Sequence, residues 1–263
     1  MHRHAVAAAA LLAVLSCAKR EDPGWASAGP ARVAGDGTVS GAAAKISRFA
    51  TPPTIDGKLD DAAWAGASVL GPFVDAGQGA PDTSPLAGSF ARVGWDARAL
   101  YLGFVVRDAS PVAPFERTEI DPHCWEKSSA VEVMLKPGDL PDNRDYYELQ
   151  FDTKGATFDT HWDDYNAPIT EAAGGKVFGH QEWSSKAEVG SVVSADRFYT
   201  VEVAIPWSAL GKARVAVPPA PGEVWRLNLY AFRDGQSVAN AWSPLKRQGN
   251  FHRSARWGRV AFE

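Results

Sequence analysis

The stretch FDTHWDDYN, Phe158 to Asn166, crowds two kinds of donor together. Asp159, Asp163 and Asp164 offer carboxylate oxygens, the ligands that a hard cation such as calcium takes. Trp162 and Tyr165 offer flat apolar rings with a polar edge. A molecule with C–H faces and a hydroxyl rim stacks on such rings. A third reading is a solvated hairpin tip. EF-hand spacing is absent, so the three readings stand side by side. Other chemistries find less support. The chain has 31 acidic residues, so chance carboxylate pairs are inevitable, and no pair stands out for glycoside hydrolysis. It contains no G-x-S-x-G elbow, phosphate-cradling glycine loop, H-E-x-x-H, C-x-x-C or C-x-x-C-H. The net charge of −4, without a basic stripe, argues against a nucleic-acid partner.

The elements that must position these side chains read as strands. YTVEVAI places Tyr199, Val201, Val203 and Ile205 on one face and Thr200, Glu202 and Ala204 on the other. SAVEVML sets Val131, Val133 and Leu135 against Glu132 and Met134. YYELQFD sets Tyr147, Leu149 and Phe151 against Glu148 and Gln150. VWRLNLYAF sets Trp225, Leu227 and Leu229 against Arg226, Asn228 and Tyr230. ALYLGFVVRD is apolar nearly throughout, as a strand buried on both faces is. With FARVGWD before it, it predicts a hairpin turning at Trp95–Asp96. Helical signals are few: LDDAAWAGA predicts one or two turns, with Asp60 as N-cap and Trp64 inward. IPWSALG predicts one turn, with Pro206 at its first position. Many strands at short spacing and almost no helix predict an all-β fold. We expect a single sandwich, immunoglobulin- or jelly-roll-like, with one or two short helical turns. The 10 Trp, 12 Phe and 6 Tyr of the 263 residues are ample for its core.

These pieces, in this order, resemble carbohydrate-binding module family 9 and its relatives in the DOMON-like superfamily. IDGKLDDAAWAGA is similar to that family's opening: a turn at Asp56–Gly57, an acidic helical turn, then Trp64 pinned against the sandwich. VGWDARALYLGFVVRD, WEKSSAVEVMLKP, YYELQFDTKGATFD, FYTVEVAIPWSALG, GEVWRLNLYAFRD and AWSPLKRQGNFHRSARWGRVAF resemble the segments that follow. The likeness runs from about Ile46 to Phe262.

The resemblance implies a non-catalytic domain that captures a poly- or oligosaccharide between two aromatic side chains. The matching positions are Trp125, entering the Glu132 strand, and Trp242, in the closing segment. Glu132, Arg233 and Asn240 are then candidates for the hydroxyl rim. Four of these have a structural alternative: loop packing for the two indoles, a solvated or ion-paired face for Glu132, a salt bridge for Arg233. His252 is read as a structural residue that bonds backbone, beside Phe251 as a core anchor. The resemblance also brings structural calcium into view, with no ligands assigned. Two alternatives come with the superfamily. One is a haem b redox domain, for which Met134 and His123, His161, His180 and His252 are the available ligands. The other is a scaffold sandwich with no sugar site.

The first residues carry a different signal. MHRH is a basic start, and Ala5 to Leu15 is an apolar run of signal-peptide length. Leu15–Ser16–Cys17 resembles the lipobox of bacterial lipoproteins. It implies cleavage after residue 16, acylation of Cys17, and a membrane anchor in place of a spanning helix. Residues 17–44, rich in Ala, Gly, Ser and Pro, then read as a flexible tether, and the domain as 45–263. The expected location is the bacterial envelope, an outer-membrane lipoprotein, beside glycan-degrading enzymes or transporters. Cys124 is left without a partner and is read as a buried, unreactive thiol.

Overall fold

The computed structural model describes residues 42–263, apart from 173–174 and 248–249. The leader, Cys17 and nearly all of the expected tether lie outside the described residues. Two sheets are stacked face to face. The first contains β1 (Ala43–Arg48), β2 (Ser68–Leu70), β4 (Phe90–Trp95), β5 (Ala99–Arg107), β11 (Glu188–Ser194) and β12 (Phe198–Pro206), in the order β11-β12-β5-β4-β1, with β2 also on β4. The second runs β1-β15-β13-β6-β7-β8 and uses β6 (Ala130–Lys136), β7 (Arg144–Asp152), β8 (Thr157–Asp164), β13 (Val224–Arg233) and β15 (Gly258–Phe262). β14 (Val238–Ala241) joins β13, and β3 (Val74–Asp75) joins β14. β9 (Thr170–Ala172) and β10 (Gly175–Val177) form a small separate ribbon. β1 belongs to both sheets: Ala43–Ile46 pair with β15, then Ser47–Arg48 pair with β4. The sandwich is thereby closed along one side, which hides an edge that would otherwise be open to pairing.

The expected alternation builds the core. Leu100, Leu102, Phe104, Val201, Val203 and Ile205 from the first sheet meet Val131, Val133, Leu135, Leu149, Leu227 and Leu229 from the second. All are buried. β4 and β5 form the predicted antiparallel hairpin.

The opening motif closes one end. Trp64, in the one-turn helix α1 (Ala62–Ala65), is buried and meets Phe49 edge-on at 5.7 Å. Its indole N–H donates to Glu202 Oε1 at 2.7 Å. The backbone N–H groups of Asp56, Gly57 and Leu59 donate to the same carboxylate. The Ile-Asp-Gly turn is thus wrapped on one buried carboxyl group, whose oxygens are met by hydrogen bonds. Gly57 is required there: its φ is +90°, and an added Cβ would lie 2.7 Å from the Ser191 backbone. Two local expectations change. Asp61, not Asp60, holds the N-cap position, and its side chain accepts from Thr54 N instead of capping the helix. Pro206 ends β12 and precedes the 3-10 turn Trp207–Ala209.

Candidate functional site

The outer face of the second sheet is not open to solvent. Register puts Tyr230, Glu132, Gln150 and Phe158 in one row across β13, β6, β7 and β8. The next row holds Asn228, Met134, Glu148 and Thr160. Tyr146 pairs with Trp162 one step further along. The helical turn α2 (Cys124–Lys127) and the segment 250–257 lie over this face. Between them is a cavity of about 280 Å³. Glu132, Glu148 and Gln150 form its polar floor, Gln181, Gln236 and Asn250 add polar groups at its border, and Trp125, Phe158, Trp162, Tyr165, Phe251 and His252 supply its rings. Phe158 and Trp162 stand four residues apart on β8, so their Cα atoms are about 13 Å apart.

The polar floor is wired in one sense. The backbone N–H of Trp125 donates to Gln150 Oε1 at 3.1 Å, which fixes the orientation of that amide. Gln150 Nε2 then donates to Glu132 Oε2 at 3.1 Å and to Glu148 Oε1 at 2.9 Å. Trp162 Nε1 donates to Glu148 Oε2 at 3.0 Å. One oxygen is left over. Glu132 Oε1 is buried and has no hydrogen-bond partner among the described residues.

The walls are equally braced. Trp125 stacks on His123 at 4.2 Å and meets Phe158 edge-on at 4.6 Å. Trp162 lies over Tyr146, nearly parallel, and crosses His252 at 4.7 Å. Tyr165 stacks on His252 at 4.5 Å and accepts from Asn250 Nδ2. His252 Nδ1 lies 2.8 Å from Tyr146 Oη, and Phe251 stacks on Tyr230 at 3.9 Å. α2 is seated on the β13–β14 turn: a Cβ at Gly235 would lie 2.0 Å from Glu126 O.

Burial raises the pKa of both carboxyls in the pocket, and Glu148 adds electrostatic repulsion at Glu132. Burial and the neighbouring Arg253 hold His252 neutral, with a pKa near 3. The pH dependence follows. A carboxyl whose folded pKa exceeds its unfolded value stabilises most at low pH and loses that contribution as pH rises through the folded value. His252 acts oppositely, but only below its unfolded value of 6.5. Above pH 6.5 His252 no longer contributes, and the carboxyls act together with His180, whose pKa the hydrogen bond to Asp163 raises, so the melting temperature should fall toward pH 8.5. Glu148→Gln should flatten that fall, and parallel curves for variant and wild type would count against strained carboxyls.

Of the residues expected from sequence, Trp125 and Glu132 meet in this pocket. Arg233, Asn240 and Trp242 do not, and strand parity explains all three. Arg233 shares the parity of Leu229 and Ala231, whose side chains face the core, and pairs with buried Asp108 at 3.4 Å. Asn240 lies opposite Ala231, is fully buried, and donates to Asp82 Oδ2 and Leu86 O. Trp242, two residues on, packs in the main core with its ring against Gly258. Glu132 is fully buried, so its outward parity does not make it a solvated residue.

Sequence reasoning missed Glu148 and Gln150. Their signal was two polar residues at alternate positions facing the same way as Glu132 on a neighbouring strand. His252 bonds the Tyr146 side chain through its ring and also borders the cavity. The FDTHWDDYN stretch is largely strand β8, not a tip, and it sends Trp162 and Tyr165 to the pocket. Its acids do not form an oxygen cage for calcium. Asp159 accepts from Ser185, Asp164 pairs with Arg144, and Asp163 faces two imidazoles. Met134 is fully buried beneath the aromatic cover and does not present its sulfur as a haem ligand. Cys124 is buried, and its thiol pKa is pushed up to about 12, in keeping with an inert residue.

Fold and pocket together define a β-sandwich domain with a covered pocket on an outer sheet face. The chain belongs to the carbohydrate family 9 binding domain-like family, whose model matches residues 55–263. Solved structures share the fold. A candidate carbohydrate-binding protein from Bacteroides uniformis is 18% identical, with a TM-score of 0.61 over 85% of this chain and 100% of its own. A family 9 module from Caldicellulosiruptor kristjanssonii in complex with cellotriose is 15% identical, with a TM-score of 0.55 over 84% and 93%. A family 9 module of that organism in complex with glucose is 14% identical, with a TM-score of 0.52 over 84% and 95%. No curated protein matches the chain.

Proposed function

We propose that this protein is a non-catalytic carbohydrate-binding domain that takes a terminal sugar in the pocket over Glu132. The observation that carries the reading is the unpartnered Glu132 Oε1 under a ring of aromatic side chains. A buried acceptor without a donor is costly, and a sugar hydroxyl would supply the donor. Aromatic walls would meet the C–H faces of the ring by stacking, with Trp125 and Trp162 as the platforms. Membership of the family and the two relatives solved with cellotriose and glucose support the same class of ligand.

Calorimetric titration with cellotriose and with glucose tests the reading, followed by a glycan array if both are silent. Trp125→Ala should weaken the best ligand by about 10-fold to 100-fold, as loss of one stacking platform does, with the far-UV spectrum unchanged. No binding to any glycan would instead leave a scaffold sandwich.

We also propose that the domain is tethered to the bacterial envelope through an acylated Cys17, with residues 17–44 as spacer. Cell fractionation checks this: Cys17→Ser should move the protein from the membrane fraction to the soluble one. Glycan-degrading enzymes or transporters are the expected neighbours, since the proposed role is capture rather than cleavage.

A further inference from the structure

Opposite the sugar pocket, the other face of β8 carries a cluster that the proposed function does not use. An isolated antiparallel bridge joins His161 to His180 and sets their rings 5.7 Å apart, 26° from parallel. Asp163, two residues along β8, projects to the same side as His161. Its Oδ1 lies 3.3 Å from His161 Nδ1 and its Oδ2 2.6 Å from His180 Nε2. Ligand atoms of all three residues fall within 4.8 Å of one another. A tetrahedral zinc ion with bonds of about 2.0–2.1 Å needs its ligand atoms about 3.3 Å apart. The Asp163–His161 separation of 3.3 Å matches that, and the Asp163–His180 separation of 2.6 Å would lengthen to admit the ion.

Two further features point to a ligand. His161 is 1% exposed, and the nitrogen it turns to the cluster is Nδ1, 3.3 Å from Asp163 Oδ1. His180 Nδ1 lies 2.7 Å from Glu182 Oε1. A carboxylate on the far nitrogen orients the imidazole, and Nε2, now 2.6 Å from Asp163 Oδ2, is the nitrogen that faces the cluster as metal donor.

We propose that His161, Asp163 and His180 bind a zinc ion, with Glu182 orienting His180. Two imidazoles and one carboxylate suit a borderline metal such as zinc and do not suit calcium, which takes oxygen donors. Three protein ligands leave a fourth position for water, and Asp163 keeps the site open to solvent. The ion would tie β8 to the segment around His180. Trp162 lies between two of the ligands in sequence, and Gln181 lies between His180 and Glu182. Both border the sugar pocket, so the metal would brace one side of it. The metal site itself stands without the sugar reading.

The test uses the full chain, stripped with a chelator and then dialysed against zinc chloride or calcium chloride. The expected result is one zinc retained per chain, no calcium, and a rise in melting temperature of about 5 °C or more at saturating zinc. His180→Gln and Asp163→Asn replace partly exposed side chains and should keep the wild-type far-UV spectrum while losing both the zinc and the rise. Cobalt substitution gives a second readout: visible bands of tetrahedral intensity in the wild type, absent from both variants. Zinc retained equally by wild type and variants would overturn the proposal and move the metal elsewhere, for example to His2 and His4. No zinc retention by the wild type, or saturation without a thermal shift, would overturn it as well.

Discussion

Glu132→Gln should weaken sugar binding by about 10-fold to 100-fold and, at the same time, raise the melting temperature by about 2–4 °C at pH 8. Both effects have one cause. Glu132 is fully buried, shares Gln150 Nε2 with Glu148, and keeps Oε1 without a donor among the described residues. In the free protein that oxygen is an unmet acceptor beside a second buried carboxyl, so a neutral side chain of the same shape relieves repulsion and desolvation. In the complex it would accept a hydroxyl, and a hydrogen bond to a charged acceptor is worth about 1.5–3 kcal/mol. The amide keeps the volume but loses the charge. A binding site that stores strain for its ligand should show this trade of stability for affinity. Wild-type affinity in the variant would remove Glu132 from the sugar site. A melting temperature that falls would show that the free carboxyl is not strained. The stability difference should also widen as pH rises, because burial and Glu148 hold the Glu132 carboxyl to its proton in the folded state.

The second large effect is on folding. Trp242→Ala should cost about 3–5 kcal/mol of stability, or on the order of 10 °C in melting temperature. Trp242 lies in the main core, and its ring occupies the space that Gly258 leaves: an added Cβ there would lie 2.2 Å from it. Truncation would open a cavity between β14 and β15 that the rigid strands on either side could not fill. Against a typical total of about 5–15 kcal/mol, that is a substantial fraction. The folded part of the population should still bind sugar normally. The contrast with Trp125→Ala, expected to lose binding at little cost in stability, separates a core indole from a pocket indole. Denaturant unfolding and calorimetry on both variants provide the check. Equal stability in the two variants would contradict the placement of Trp242.

Much of the fold was legible from local signals. Alternation identified which residues of β6, β7, β12 and β13 share a face, because the pleat turns successive side chains to opposite sides whatever their neighbours are. Asp56–Gly57 announced a turn, because glycine there takes a φ of +90°. Trp64 read as an inward anchor. The partner that makes the motif cohere, Glu202, did not read from sequence: it lies more than 130 positions away, and no local pattern links it to the turn.

The pocket was half legible for the same reason. Polar residues at Glu132, Glu148 and Gln150 were seen to face away from the core. Away from the core suggested water; in the structure it means a second, covered surface, because α2, the end of β8 and the segment around His252 fold over it. Arg233, Asn240 and Trp242 have chemistry suited to sugar, but their parity turns them inward. Sequence alone therefore determined an all-β chain, its alternating faces and its aromatic wealth, since these depend on each residue and its near neighbours. Tertiary structure alone decided which face is covered, which indole is a wall and which is core, and that two distant histidines stand side by side. Those outcomes depend on strand register and on contacts between distant segments, which no local periodicity encodes.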